Sequence, residues 1–378
     1  MTFKKTDTAL LKGISILMIM LHNFCHHLPK SVTENEYSFG IERFEQLCTY
    51  ISQGGPHVVL NIFSHFGHYG VPLFLFLSGY GLVCKYELSS PRRYHHSLLH
   101  RLSNDLAFLW KHMVKLWKLM LPAIALYWAY CMFVHKPWQV EAGDLAAMLT
   151  FTSNLFIKRN LILGPWWFFS LILQLYIVYR FVFYHYRGSF TLVSITAACF
   201  AFQAFLYFAE VRLTPEGDIC MFDCRYNAVS WILPFTAGIL AARSRFFRHW
   251  NPGIPMLVMC SIAGVALTVW AATDAMQWLL SPLYVLMVFL PLAFLIKRGF
   301  CRKDLEWIGS VSATLFALHP IARAMTITAA RHAEYAGHWT ETYLHILLYL
   351  LISFVAAWIL GILLKQTDKI ISISWKSR

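Results

Sequence analysis

TALLKGISILMIMLHNFCHHLP, residues 8–29, decides how this chain folds. It is an almost unbroken apolar run that opens with the lone Lys12 and carries His22, His26 and His27 toward its far end. A run this long and apolar reads as a membrane span. A histidine inside a span, or at its edge, is costly unless it is paired or working. Lys4 and Lys5 ahead of the run imitate a secretory leader, but no small-residue cleavage site follows, so the segment is expected to remain as an uncleaved first span.

The rest of the chain has the same character. Of its 378 residues 58% are hydrophobic and 13% charged, where a soluble domain is about half apolar and a quarter charged. The fold class expected is all-α: a polytopic helical bundle forming a single transmembrane domain over 1–378. Ten spans can be drawn, at 11–29, 68–84, 116–134, 165–184, 190–208, 226–242, 254–272, 277–296, 309–329 and 342–364. With the N-terminus inside, 23 of the 32 Lys and Arg fall in inner segments and 8 in outer ones, which gives an N-in, C-in topology. The net charge of +13 follows from this bias, and no Walker loop, zinc-finger spacing or dinucleotide fingerprint accompanies it, so nucleic acid is not an expected partner. The nine cysteines form no framework; Cys48, Cys220 and Cys224 fall in predicted external loops, where a disulfide has no readable connectivity.

Polar groups in apolar runs mark the candidate chemistry. Lys12 and His22 are ten residues apart, about 15 Å along a helix, so Lys12 sits at the inner edge and His22 past the midplane, with His26 one turn further. Lys12 also reads as a snorkelling topology anchor, and His26 with His27 as an interfacial pair in water. His319 precedes Pro320 in the ninth span with Arg323 one turn on, which reads either as a polar cavity or as a histidine bonded to backbone opened by the proline. In Ser78-Gly79-Tyr80-Gly81 no nucleophile elbow surrounds Ser78, so small residues for helix packing, or the wall of a cofactor channel, is the reading. Trp166, Trp167, Phe168 and Phe169 read as an aromatic belt first and a sugar-stacking platform second. Arg92, Arg93, Arg101, Lys111, Lys115 and Lys118 make the inner segment 85–118 basic, and Lys111, Lys115 and Lys118 share one helical face.

KGISILMIMLH (12–22) followed by GVPLFLFLSGYGL (70–82) resembles the acyltransferase-3 family of integral-membrane O-acyltransferases. LMLPAIALYW (119–128), Trp166-Trp167-Phe168-Phe169 and Leu315-Phe316-Ala317-Leu318-His319-Pro320 extend the resemblance over nearly the whole chain. It implies a multi-pass protein of the cytoplasmic membrane, in contact with its lipids, that moves an acyl group from cytoplasmic acyl-CoA to a hydroxyl of an extracytoplasmic glycan or lipid-linked sugar. The donor implied is acetyl-CoA, and no metal is expected. The family spaces its first-span basic residue and catalytic histidine by eleven; here position eleven is Asn23, and His22 is one short. Ten residues turn a helix about 80° from Lys12's face and fourteen, to His26, about 40°. His22 is therefore the first catalytic candidate and His26 the second, with Asn23 a hydrogen-bonding partner. The resemblance assigns Lys12 and the inner basic face to CoA, and acceptor entry to residues 30–70, where His65 and His68 lie.

Two rival readings stand beside it. HxxxHH at 22–27, HxxH at 65–68 and HHxxxH at 95–100 look like the clusters of membrane di-iron oxidases, but the third falls on the opposite membrane face from the first two. A smaller outer-face metal site from His22, His26, His65 and His68 is a variant of that reading. A glycan or lipid transporter would also use intramembrane His and Arg, although the two halves show no matching pair of broken helices.

Overall fold

The structure is a computed structural model that describes residues 3–89, 97–155, 161–212, 220–296 and 302–376. The main helices are α1 (Lys5–Cys25), α2 (Ile41–Gln53), α3 (Val58–Leu88), α4 (Leu98–Phe133), α5 (Ala142–Leu149), α6 (Gly164–Phe183), α7 (Ser189–Phe208), α8 (Ala228–Arg243), α9 (Ile254–Ala271), α10 (Ala275–Ile296), α11 (Arg302–Ser310), α12 (Ser312–Tyr335) and α13 (Trp339–Lys376). No strand occurs among the described residues. Eight of these helices are long and apolar enough to cross a membrane: α1, α3, α4, α6, α7, α9, α10 and α13. α8, with 16 residues, is apolar but shorter, and α12 carries His319, Arg323, Arg331 and Glu334 in its sequence. Each of the ten predicted spans coincides with a helix.

α1, α3 and α6 form the centre. Their apolar windows are 56%, 67% and 56% buried, against 17% for α7 and 22% for α9, which present their apolar side chains outward as a helix facing lipid does. α1 runs between α3, α11 and α12, and seals its flank with Leu11, Ile16, Met20 and Phe24. α3 packs along α8; α9 with α10, and α12 with α13, are antiparallel pairs. The α3–α8 contact is as close as small residues permit at Gly79, where a Cβ would lie 2.2 Å from the Phe235 carbonyl oxygen, whereas a Cβ on Gly81 would meet nothing within 4 Å.

Two predicted loops prove largely helical. α3 starts at Val58 rather than 68, because the apolar stretch Val58–Phe66 joins the span through a single 3-10 turn at Gly67–Tyr69. α4 starts at Leu98 rather than 116 and has 36 residues, about 54 Å, well beyond a ~30 Å hydrocarbon layer. Most of the basic segment drawn as an inner loop is thus the first half of α4.

The end of the bundle opposite the histidines is fastened by ion pairs. π-helical turns at Cys84–Leu88 and Tyr179–Phe183 present Glu87 and Arg180. Glu87 accepts from Arg243 Nη2 at 2.7 Å and from the Tyr179 hydroxyl at 3.1 Å, while Arg180 Nε donates to Asp105 at 2.6 Å. Cys48 and Cys224 are free thiols, and the Cys220 side chain lies outside the described residues.

Candidate functional site

The chain leaves α1 at His26 and does not run off into solvent. Residues 32–40 fold back into the bundle and are held at almost every step. Val32 N–H donates to Asn61 Oδ1 at 2.7 Å, and its carbonyl accepts from Ser64 Oγ at 2.6 Å. His65 Nδ1 meets the Thr33 carbonyl at 2.9 Å. Arg43 Nη1 donates to the carbonyls of Glu34 and Ser38 at 2.6 and 2.7 Å, and Trp278 Nε1 donates to the Asn35 carbonyl. Arg225 Nε donates to the Glu36 carbonyl at 2.7 Å, its guanidinium lying between the rings of Trp231 and Trp278 at 4.8 and 4.9 Å. Buried backbone needs such partners, and together they hold two carboxylates, Glu34 and Glu36, 8% and 5% exposed, against the end of α1.

Those carboxylates and the α1 histidines line one cavity of about 280 Å³. Its lining includes the polar side chains of His22, His26, His68, Glu34 and Glu36, the aromatic rings of Tyr37, Tyr226, Trp167, Phe168 and Phe316, and Asn23, His27 and Arg323. Tyr37 and Tyr226 are stacked at 4.5 Å, with Trp167 edge-on to both.

His22 is fixed in one state. Its Nδ1–H donates to the Ser64 carbonyl at 2.8 Å, so Nε2 is the ring's lone-pair nitrogen. Gly67 makes this possible: a Cβ there would sit 2.6 Å from His22 Cβ and 2.8 Å from the Met18 carbonyl oxygen, so only glycine lets α3 approach this closely. His26 Nδ1 lies 2.6 Å from Glu34 Oε2, and the His22 and His26 rings stack at 5.5 Å. Burial opposes ionisation of Glu34, but His26, with His22 and His68 nearby, holds its carboxyl well below the usual carboxylate range. Burial, reinforced by the charge of Glu34, pushes Glu36 up to about 8. Two carboxylates buried in one pocket do not both ionise readily; here Glu34 carries the charge and Glu36, hydrogen-bonded to Tyr37, the proton.

The expected site residues divide. His22, His26, Asn23, His68 and Arg323 line the cavity together. His26 is paired to a buried acid that the returning loop supplies, while its own side chain stays 31% exposed. Asn23 turns away from the histidines: its Nδ2 donates to the Ile19 carbonyl and its Oδ1 accepts from Arg323 at 3.3 Å. His65 supports the loop from behind. Ser78 is hydrogen-bonded to the Tyr176 hydroxyl, deeper in α3. Trp166 is 1% exposed and donates to the Ala317 carbonyl at 3.1 Å, so it is core rather than belt, while Trp167 and Phe168 reach the cavity. His319 takes neither expected role: it is fully buried, donates from Nδ1 to the Tyr349 hydroxyl at 3.1 Å, and that hydroxyl donates to the Met20 carbonyl. Of the basic residues, Lys111 and Lys115 are exposed on α4, with Lys118 half-buried beside them. Arg101 lies 3.3 Å from His185, within the Asp105 cluster. Lys12 is half-buried on α1, ten residues from His22. Arg92 and Arg93 lie outside the described residues.

Glu34, Glu36, Tyr37 and Tyr226 are what sequence reading missed. The available signal was TENEY at 33–37, two acids immediately after a histidine-rich span end. The outer-face metal grouping drawn from histidines is not the one the fold assembles. His22, Glu34 and Glu36 instead offer ligand atoms within 4.8 Å of one another, the one such cluster among the described residues. His65 is turned to Thr33 instead.

A family model described as an acyltransferase domain matches residues 9–362, and no curated protein and no solved structure matches the chain.

Proposed function

Since the chain belongs to the acyltransferase-3 family, and so is a membrane acyltransferase, we propose that it moves an acyl group, acetyl in the first instance, from acyl-CoA to a hydroxyl in the 280 Å³ cavity, with His22 as the base. The observation that carries this reading is the His22–Ser64 bond, which leaves Nε2 unprotonated on a ring within 4.8 Å of a Glu34 oxygen. A hydroxyl is a weak nucleophile at neutral pH and needs a base as it attacks. In this scheme the acceptor oxygen attacks the thioester carbonyl and its proton passes to His22 Nε2. The tetrahedral intermediate then expels the CoA sulfur, which takes that proton, restoring neutral His22. Glu34, held by His26, stabilises the transient imidazolium through its charge, while the Ser64 carbonyl holds Nδ1–H. An acceptor sugar ring would stack on Tyr37, Tyr226 and Trp167.

The donor would approach from the opposite membrane face. In this reading the N-terminus and the first half of α4 are cytoplasmic, the membrane is the cell's cytoplasmic membrane, and Lys12, Lys111, Lys115 and Lys118 face the phosphates of CoA. The acceptor, a glycan or lipid-linked sugar, enters past residues 30–57.

The test is acetyl-CoA turnover by the purified protein, wild type beside His22→Ala and His26→Ala, with bound metal quantified in the same samples. His22→Ala is expected to lower turnover by about 10²–10⁴, with a smaller loss in His26→Ala, in metal-free protein that still unfolds cooperatively. Stoichiometric metal, lost in Glu36→Gln together with activity, would transfer the chemistry to the His22–Glu34–Glu36 cluster. Folded protein that neither binds nor turns over acyl-CoA would favour a transporter.

A further inference from the structure

Arg323 stands out among the groups around the cavity. Its side chain is deep in the bundle, 8% exposed, and it lines the cavity. All of its hydrogen bonds come from one nitrogen: Nη1 donates to Asn23 O at 3.1 Å, to Asn23 Oδ1 at 3.3 Å, and lies 3.5 Å from His27 Nδ1. Every one of these partners is neutral. Nε and Nη2 make no bond among the described residues. The acids at this end of the bundle are engaged elsewhere: Glu34 with His26, Glu36 with Tyr37, and Glu334 with the Lys30 backbone N–H at 3.3 Å. Arg331, whose Nε donates to the His27 carbonyl, adds a second cation on the same helix two turns on.

A guanidinium within a membrane bundle is normally matched by an acid. One left with neutral partners, and with part of its donor fork free in a cavity, is built to receive an oxyanion from outside the chain. Glu34 and Glu36 line the same cavity, so it holds both acidic groups and the Arg323 cation. A neutral polyol would offer the Arg323 fork hydroxyl acceptors but no counter-charge.

We infer that Arg323 is an anion subsite of the cavity, taking a carboxylate or phosphate carried by one of the two substrates. This rests on the acyl-transfer reading and narrows it. The anion belongs either to an acidic sugar acceptor or to the free end of a dicarboxylic acyl chain.

Binding separates these sources without requiring turnover. Thermal stabilisation of the purified full-length protein is measured with methyl glucuronide and glucose 6-phosphate against methyl glucoside and glucose, and with succinyl-CoA against acetyl-CoA, in wild type, Arg323→Gln and Arg323→Lys. An acidic acceptor predicts that the anionic sugars bind wild type about tenfold or more tightly than the neutral ones. That excess disappears in Arg323→Gln and is partly kept in Arg323→Lys, which retains charge but loses the fork. A dicarboxylic donor moves the same pattern to succinyl-CoA. If Arg323→Gln does not fold, a partial loss in Arg323→Lys carries the comparison. Wild type showing no preference for any anionic probe, or a preference that survives in both variants, overturns the subsite. Failure of the acyl-transfer reading shows separately, as absent turnover of both acetyl-CoA and succinyl-CoA with the anion preference intact.

Discussion

At the scale of single residues, the division of labour between Glu34 and Glu36 has a measurable consequence. Glu36 keeps its proton in the folded protein up to about pH 8, whereas the unfolded chain releases it near 4.5. Between those values the native state binds more protons than the unfolded one, so stability falls as pH rises through that window. Glu36→Gln, which is neutral throughout, is expected to flatten the fall. Melting temperatures of wild type and variant at pH 5 and pH 8.5 check this; parallel slopes would mean that Glu36 is ionised in the fold. His22 was legible from its cost in an apolar run. Its function depends on Ser64, 42 residues away, which no local pattern announces.

At the scale of elements, the site exists because α3 presses on α1 at Gly67 and Gly70. A Cβ on Gly70 would fall 2.5 Å from the Ser15 carbonyl oxygen. Gly67→Ala is expected to force the helices apart, destabilise the protein by about 1–3 kcal/mol and loosen the His22–Ser64 bond. A Cβ on Gly81, also in α3, would meet nothing within 4 Å, so Gly81→Ala is expected to be neutral or slightly stabilising. Thermal unfolding of the two variants side by side tests the contrast; equal effects would sink the claim that close approach, rather than helix propensity, selects glycine at position 67. The eight helices long and apolar enough to cross a membrane were readable because each carries a largely apolar run; 226–242 falls on the shorter α8, and 309–329 on α12 with its His319 and Arg323. The early starts of α3 and α4 were not, since Val58–Phe66 and the first half of α4 are too short or too charged to mark a span and take helical form by packing and continuation.

At the scale of the whole molecule, the charge distribution predicts which surface faces out. Cys48 is exposed on α2, at the cavity end. Under the N-in topology a membrane-impermeant maleimide added to intact cells is expected to label Cys48, with the signal lost in Cys48→Ser. Labelling that requires permeabilised cells would invert the topology and place the cavity on the cytoplasmic side.

The sequence by itself determined the all-helical membrane class, the positions of the main apolar helices and the family, because hydrophobic runs and ordered motifs are properties of the chain. It also singled out His22, His26 and Arg323, since a polar group in an apolar run is visible wherever it points. Only the tertiary structure decided that residues 32–40 turn inward, that Glu34 and Glu36 share one pocket with His22, that Asn23 serves Arg323 rather than the histidines, and that His319 bonds to Tyr349. Each of these depends on contacts between residues remote in the chain. An acid in a polar loop carries the same local signature whether it faces water or is buried against a histidine, and only packing distinguishes the two.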